Sequence, residues 1–234
     1  MGPAKQADPW EKNAAYKSGR RVLVIGAIVA LVFVFVFAGS TYRNRFRLTI
    51  EVETPDGLKS GSSVIETRFW ESGNWGTLEA RGVRADARGE AVYVDLGRGK
   101  YVIGILGWGP KGEDQNKISG LTRAALAPGQ HVDWKDEYKL KGRGDLPPGY
   151  VPALVTFADL NDPKTARVVR PDELAQVFGP GVRFVRAGIE TTSGPITRTI
   201  KSHLRWLPHP SYLSGRFGCA PNEPHCLHGG NFTR

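Results

Sequence analysis

Residues 46–53 read FRLTIEVE, so apolar and polar side chains alternate along the whole stretch. Because successive side chains of a β-strand point to opposite faces, the alternation predicts a strand with one buried and one solvated face. Ile50 should therefore lie in the core and Thr49 in solvent. Residues 54–57 read TPDG and predict a turn, since proline fixes φ at the second position and glycine is favoured at the fourth.

Further strands are predicted from stretches rich in β-branched and aromatic residues that lie between glycine, proline and aspartate turns. They are 63–70, 91–96, 100–106, 153–157, 166–169 and 182–191, with 131–140 as an additional edge strand. Short helices are predicted at 171–179, where proline comes first and glycine last, and at 195–207, where apolar residues recur at helical spacing. A weaker helical spacing covers 117–127. The fold class is therefore mainly β (α+β) with one or two short helices.

The order of signals over residues 46–106 resembles small immunoglobulin-like or prealbumin-like β-sandwiches. It consists of a strand, a PDG turn, a strand that starts with GSSV, and a strand–glycine–strand hairpin that contains Tyr101. The resemblance implies a β-sandwich-like architecture for this stretch. Such modules serve as spacers and binding units in secreted bacterial proteins, and the resemblance brings no catalytic residues.

A second feature is the apolar run at residues 22–38, VLVIGAIVALVFVFVFA, which has no charged residue and follows Arg20 and Arg21. With Gly39 the run has 18 residues, and at about 1.5 Å per residue it approaches the thickness of the bilayer hydrocarbon. We therefore predict a transmembrane helix over 22–39. A secretory signal cleaved near Ser40 is the alternative, and it would leave a secreted soluble β-domain.

The topology is predicted from the charges around this run and from the cysteines. Five lysines and arginines precede the run and four follow it within a similar distance, which narrowly favours a cytoplasmic N-terminus. Cys219 and Cys226 are the only cysteines, and an even, closely spaced pair fits a disulfide in an oxidising compartment. The sequence thus predicts a single-pass protein of the bacterial inner membrane whose C-terminal domain is periplasmic.

The domain organisation predicted from these features has four parts. They are a cytoplasmic tail (1–21), the transmembrane helix (22–39), a β-rich soluble domain (40–207) and a C-terminal tail (208–234). Within the soluble domain, 46–106 and 150–207 are possible sub-units, joined by an irregular segment, 107–149.

Two stretches resemble an uncharacterised family of bacterial single-pass membrane or exported envelope proteins. Residues 47–64 have the form R-x-T-x-EVETP-x-G-x-x-x-GSSV, and residues 154–184 read LVTFADLNDPKTARVVRPDELAQVFGPGVRF. The resemblance extends over most of residues 45–207. It implies a small membrane-tethered or exported domain and brings no activity.

The net charge of +9 is scattered along the chain, so it does not predict a nucleic-acid interface. A mildly basic soluble part suits a location beside anionic lipid headgroups. The expected partner is therefore the membrane, with a protein of the envelope as a further candidate.

Few residues are candidates for a chemical site, and no catalytic, cofactor or metal residue is predicted. The Cys219–Cys226 disulfide is the predicted covalent feature, with free thiols or a zinc site completed by His225 and His228 as alternatives. Asp159, Asn161 and Asp162 have calcium-like spacing, but a calcium loop needs six or more ligands, and turn formation explains their oxygens more simply. Four tryptophans could form a ligand platform, although core packing is expected of them: Trp70, Trp75, Trp108 and Trp134.

The function predicted from the sequence is that of a non-enzymatic envelope module that binds a protein partner or an envelope polymer. The rival class is a hydrolase-type enzyme with an unrecognised site. A solvent-lined pocket that joins a carboxylate such as Asp159 to a histidine such as His203 would favour the enzyme. An apolar patch at a flat surface or an edge strand would favour the binding module.

Overall fold

The computed structural model describes Ala27 and residues 41–72, 82–207, 217 and 226–234. Nearly all of the predicted transmembrane helix at 22–39 lies outside the described residues, as do the tail at 1–21 and Cys219. In the part of the chain that is described, no helix has the length and apolar character needed to cross a membrane. One compact unit comprises 41–70 and 82–234, and the following account concerns that unit.

The described domain is mainly β and consists of two antiparallel sheets. In chain order the described strands are β1 (Thr41–Thr54), β2 (Gly57–Ser72), β3 (Gly82–Arg88), β4 (Val92–Gly97), β5 (Lys100–Gly104), β6 (Arg143–Asp145), β7 (Leu154–Phe157), β8 (Ala166–Val169) and β9 (Arg183–Thr191). The first sheet has the order β3-β2-β1-β9-β6, and the second has the order β4-β5-β7-β8. The short described α-helices are α1 (Leu121–Leu126), α2 (Leu174–Phe178) and α3 (Ile200–His203).

Strand β1 confirms the alternation read from the sequence. Ile50 is completely buried, whereas Thr49 retains part of its exposure. The strand is longer than the predicted 46–53, because β2 pairs with it along its whole length, from Thr54↔Gly57 to Thr41↔Trp70. The predicted turn at 54–57 closes this hairpin. The Thr54 hydroxyl donates to the carbonyl of Gly57 at 2.7 Å, and Gly57 has a φ of +101°, a value that glycine adopts without strain.

A first core lies between the two sheets. The first sheet contributes the inward residues of β1, and the second sheet contributes apolar residues from all four of its strands. The buried members include Phe46, Leu48, Ile50, Val52, Val92, Val94, Val102, Leu154 and Val169. The sheets approach closely at Gly61, where an added Cβ would overlap the backbone carbonyl oxygen of Tyr93. A side chain at this position would therefore separate the sheets.

A second core covers the other face of the second sheet, so that this sheet is buried on both faces. Burial on both faces explains why residues 101–106, YVIGIL, read as a continuous apolar run instead of an alternating one. The covering side chains come from the C-terminal part of the chain: Ile200, Leu204, Trp206, Leu207, Phe217, Leu227 and Phe232. The backbone is joined as well, since Ala91 N–H donates to Phe232 at 2.9 Å and Leu106 N–H donates to Asn231 at 2.6 Å.

This arrangement corrects the prediction that residues 208–234 are a tail. Their described part, 217 and 226–234, is packed into the second core and hydrogen-bonded to the second sheet. The aromatic residues Phe217 and Phe232 contact each other, with ring centroids 6.1 Å apart. The sequence reading missed this because apolar residues are sparse in a stretch dominated by glycine, proline and polar residues.

Two other predictions are wrong in type or extent. Residues 131–140 form turns and a 3₁₀ helix (Glu137–Lys139) in place of an edge strand. The Asp133 carboxylate closes the first turn by accepting from Lys135 N–H at 2.8 Å. In the predicted helix at 195–207 only α3 is helical, although Ile200, Leu204 and Leu207 are buried as the helical spacing required.

The other helices agree with the sequence, each with a 3₁₀ turn at its start. Asn116–Gly120 precedes α1, and Pro171–Glu173 precedes α2. The two stretches considered as possible sub-units share both sheets, because β9 pairs with β1 and β7 pairs with β5. Within the described residues they therefore belong to one unit, and the segment between them contributes β6 to the first sheet.

Replacement of Gly61 by alanine should destabilise the domain, because the new Cβ meets backbone instead of a movable side chain. We expect a loss of about 1–3 kcal/mol or more in the free energy of unfolding, measured by denaturation of the detergent-solubilised chain. Gly149→Ala is the matched control, since a Cβ there would meet nothing within 4 Å. Equal effects of the two substitutions would contradict the close approach of the sheets.

Candidate functional site: the open edge of the second sheet

Strand β8 forms one edge of the second sheet. It pairs with β7 from Leu154↔Val169 to Phe157↔Ala166, and within the described residues no strand pairs with its other side. An edge strand presents unpaired N–H and C=O groups that can pair with another chain. Val168 is partly exposed along this edge and Arg167 is exposed.

Two clefts lie against β8, one toward each of its ends. The first has a volume of about 350 Å³ and is lined mainly by apolar side chains, among them Val151, Pro152, Leu154, Val168, Val169 and Pro171. The second has a volume of about 320 Å³ and is lined by Tyr101, Phe157, Val177 and Phe178 together with Lys100 and Arg167. The open edge is thus flanked by apolar surface on both sides.

The wall of the first cleft is fixed by proline and by one buried tryptophan. Pro148 begins a 3₁₀ turn that ends at Tyr150, and the indole N–H of Trp108 donates to the carbonyl of Tyr150 at 2.7 Å. Pro171 follows β8 after one residue and cannot donate to a ladder, so the strand ends there. These constraints determine the position of the cleft wall.

The net charge of the residues that line the two clefts is positive, since Lys100, Lys117, Arg167 and Arg170 outnumber Asp172. Lys117 lies 5.5 Å from the ring centroid of Tyr150. Among the described residues no carboxylate lies within ion-pair distance of Lys117 or Arg167, whereas Arg170 is paired with Asp172 at 3.2 Å and Glu173 at 3.1 Å. The edge therefore suits an extended segment with apolar side chains and an acidic group.

The predicted disulfide is only partly within the described residues. Cys226 is described and Cys219 is not, so the disulfide stays a prediction. Phe217 and Leu227 hydrogen-bond to each other in both directions, at 2.9 and 3.1 Å. These two residues flank both cysteines, and their pairing brings the two sides of the loop together. A disulfide in this loop would stabilise a segment that belongs to the second core.

The alternative metal sites have other roles where they are described. His228 Nδ1 accepts from Gly230 N–H at 3.1 Å, and its Nε2 lies 2.8 Å from Gln115 Nε2. Asp159 accepts from Asn161 N–H at 2.8 Å and Asp162 accepts from Lys164 N–H at 2.9 Å, so both carboxylates close turns. The described residues contain no cluster of three metal-ligating side chains.

In the described residues, no hydrogen bond or ion pair joins the carboxylate and the histidine considered for a hydrolase, Asp159 and His203. His203 stacks on Tyr93, with ring centroids 3.9 Å apart, and Tyr93 stacks on Tyr101 at 5.7 Å. Burial, reinforced by Tyr93 and Asp159, raises the pKa of Tyr101 to about 12. The Tyr101 hydroxyl donates to the carbonyl of Phe157 at 2.8 Å, which gives it a structural partner.

Of the four tryptophans considered as a platform, the three that the structure describes are Trp70, Trp108 and Trp134. Trp108 is completely buried in the first core, and Trp75 lies outside the described residues. Tyr42 packs against both Trp134 and Tyr138, with centroid distances of 5.4 Å to Trp134 and 5.6 Å to Tyr138. Core packing is therefore confirmed for Trp108, while Trp134 belongs to a surface cluster.

An ion-pair group on the first sheet was not foreseen from the sequence. Arg186 binds both carboxylate oxygens of Glu51, at 2.5 and 2.9 Å, and also Asp145 at 2.7 Å. Hydrogen bonds to Glu51 and then to Asp145 raise the pKa of Arg186 above its usual value. Glu66 is buried between Arg45 and Arg68. Burial favours its neutral form, but hydrogen bonds from the two arginines outweigh this and lower the pKa of Glu66.

A buried carboxyl group at Glu137 was also missed. Glu137 is 1% exposed, and neither of its side-chain oxygens has a hydrogen-bond partner. Burial raises the pKa of Glu137 to about 7, and the nearby charge of Arg123 only partly opposes this. The alternation of residues 131–140 placed this residue on the solvated face of a strand, so the pattern gave no signal of its burial.

Comparison with known proteins adds no assignment, since no family model, curated protein or solved structure matches the chain.

The raised pKa of Glu137 predicts a pH-dependent stability. The native state binds a proton that the unfolded state has released between about pH 4.5 and 7, so the free energy of unfolding should fall as pH rises through this range, by at most about 1.4 kcal/mol per unit. Glu137→Gln should remove this contribution, as measured by denaturation at several pH values. The exposed Glu113, replaced by Gln, should keep it, and an unchanged slope in Glu137→Gln would contradict the assignment.

Proposed function

We propose that the protein is a membrane-anchored envelope module that binds an extended segment of a protein partner, or an envelope polymer, and that it is not an enzyme. The observation that carries this proposal is the open edge of β8 between two largely apolar clefts. An apolar surface at an edge strand favours a binding module over a hydrolase.

The edge suits a β-strand addition mode of binding. In that mode main-chain hydrogen bonds to the edge supply affinity, and pockets for alternate side chains supply specificity. Strand β8 offers four residues for pairing, and both flanking clefts reach it. Lys117 and Arg167, which form no ion pair with any carboxylate in the described part of the chain, would steer acidic segments toward the edge.

The anchor and the location are supported by the sequence. The apolar run at 22–39, its flanking charges and the cysteine pair favour a cytoplasmic tail (1–21), one transmembrane helix and a periplasmic C-terminal domain in the bacterial inner membrane. The resemblance to single-pass or exported envelope proteins points the same way. Two antiparallel sheets with a shared core also fit the immunoglobulin-like or prealbumin-like sandwich that residues 46–106 resemble, a type used for spacing and binding.

Reporter fusions test the anchor and its orientation. A reporter that is active only in the periplasm should be active when fused after Arg234 and silent when fused after Lys17, because the run at 22–39 would cross the membrane once. The reverse pattern would contradict the orientation. Release of a shortened protein into the soluble periplasmic fraction would support the alternative of cleavage near Ser40.

Site-specific photocrosslinking tests the binding edge. A photoreactive amino acid at Val168 should crosslink in cells to one discrete partner, whereas the same group at Ser62, an exposed residue of β2, should not. Arg167→Glu should reduce the crosslink at Val168. Lys201→Glu makes the same reversal of charge at an exposed position of α3, and it should leave the crosslink unchanged. Equal crosslinking at both positions, or no effect of Arg167→Glu, would contradict partner binding at this edge.

A further inference from the structure

A surface cluster of three aromatic residues lies at the beginning of β1. Tyr42, the second residue of β1, contacts Trp134 edge-on at 5.4 Å and stacks with Tyr138 at 5.6 Å between ring centroids. Tyr138 is 38% exposed, and Tyr42 and Trp134 are half-buried. We call these three residues the aromatic face.

Lysines extend the aromatic face on its solvent side. The ammonium of Lys135 lies 5.2 Å from the ring centroid of Trp134, and that of Lys139 lies 5.9 Å from the ring centroid of Tyr138. Rings with an apolar body and a polar tip, accompanied by lysine, are the side chains that favour a membrane–water interface.

The chain itself limits how far this face can be from a membrane. Gly39 ends the apolar run and Tyr42 follows three residues later. Three residues span at most about 11 Å, and the headgroup region of one leaflet is about 5–8 Å thick. If the run at 22–39 crosses the bilayer, Tyr42 lies inside the headgroup region or directly above it.

We propose that the aromatic face docks the domain onto the headgroup region of the bilayer that holds its anchor. The inference rests on the proposed anchor and adds a second contact with the same membrane. The aromatic side chains supply this contact, because the local charges nearly cancel. Asp133 precedes Lys135, Asp136 lies between Lys135 and Lys139 in the sequence, and Asp136 binds Lys139 at 2.6 Å.

The short connection supports this docking over a freely moving domain. Thr41 is already paired with Trp70 in the first sheet, so one residue, Ser40, separates the apolar run from the ladder. If residues 22–39 cross the bilayer, a connection of this length keeps the aromatic face within reach of the headgroup region.

Quenching of tryptophan emission by brominated lipids tests the proposal on the full chain in nanodiscs. Bromine quenches only indoles that it contacts, so the wild-type chain should show a quenched component. Trp134→Phe should lose part of that component. Trp206→Phe is the matched control, because Trp206 is 7% exposed within the second core, and it should retain the whole component. Melting of each variant shows that it is folded.

The outcomes separate the docking from the anchor. If the chain stays in the nanodiscs and the two variants show the same quenched component as the wild type, the docking is wrong while the anchor stands. If the chain does not stay in the nanodiscs, the anchor is wrong and the docking fails with it. If a protein partner, and not the membrane, covers the aromatic face in the cell, Trp134 should be accessible to aqueous quenchers in nanodiscs that lack this partner. That result would also overturn the proposal.

Discussion

The burial of the inward face of β1 is the constraint on which the rest of the structure depends. This central strand pairs with β2 and β9 on its two sides, and its inward side chains are completely buried between the sheets. A shift of one residue would move every one of them to the solvated face. The long ladder with β2 and the Gly57 turn prevent such a shift. Because the inward side chains of β1 form one wall of the first core, their position also determines where the second sheet packs.

The second sheet then depends on the C-terminal part of the chain. Its strands are apolar on both faces, and only one face can be covered by the first sheet. The residues around Trp206 and Phe232 cover the other face, and the main-chain bond from Ala91 to Phe232 joins the end of the chain to β4. The described residues Phe217, Leu227 and Phe232 therefore belong to the core of the domain.

The sequence predicts local secondary structure well, but it predicts poorly which segments pack against one another in the folded domain. The strands around Ile50 and Ile103 and the helix at 171–179 follow from alternation, apolar runs and capping residues. The burial of Glu137 and the edge position of β8 do not, because both depend on which segments pack together in space. At 131–140 the alternation was real but described a turn, since Asp133 binds the following backbone and diverts the chain from an extended path.

The two proposed surfaces have different physical requirements, and the fold supplies both. Binding at β8 needs an edge whose backbone groups stay exposed. The strand is short and ends before Pro171, and both features limit its pairing with other segments of the chain. In the two proposals the membrane contact uses Tyr42 at the start of β1, and partner binding uses β8. The order of the strands places β1 in the first sheet and β8 in the second.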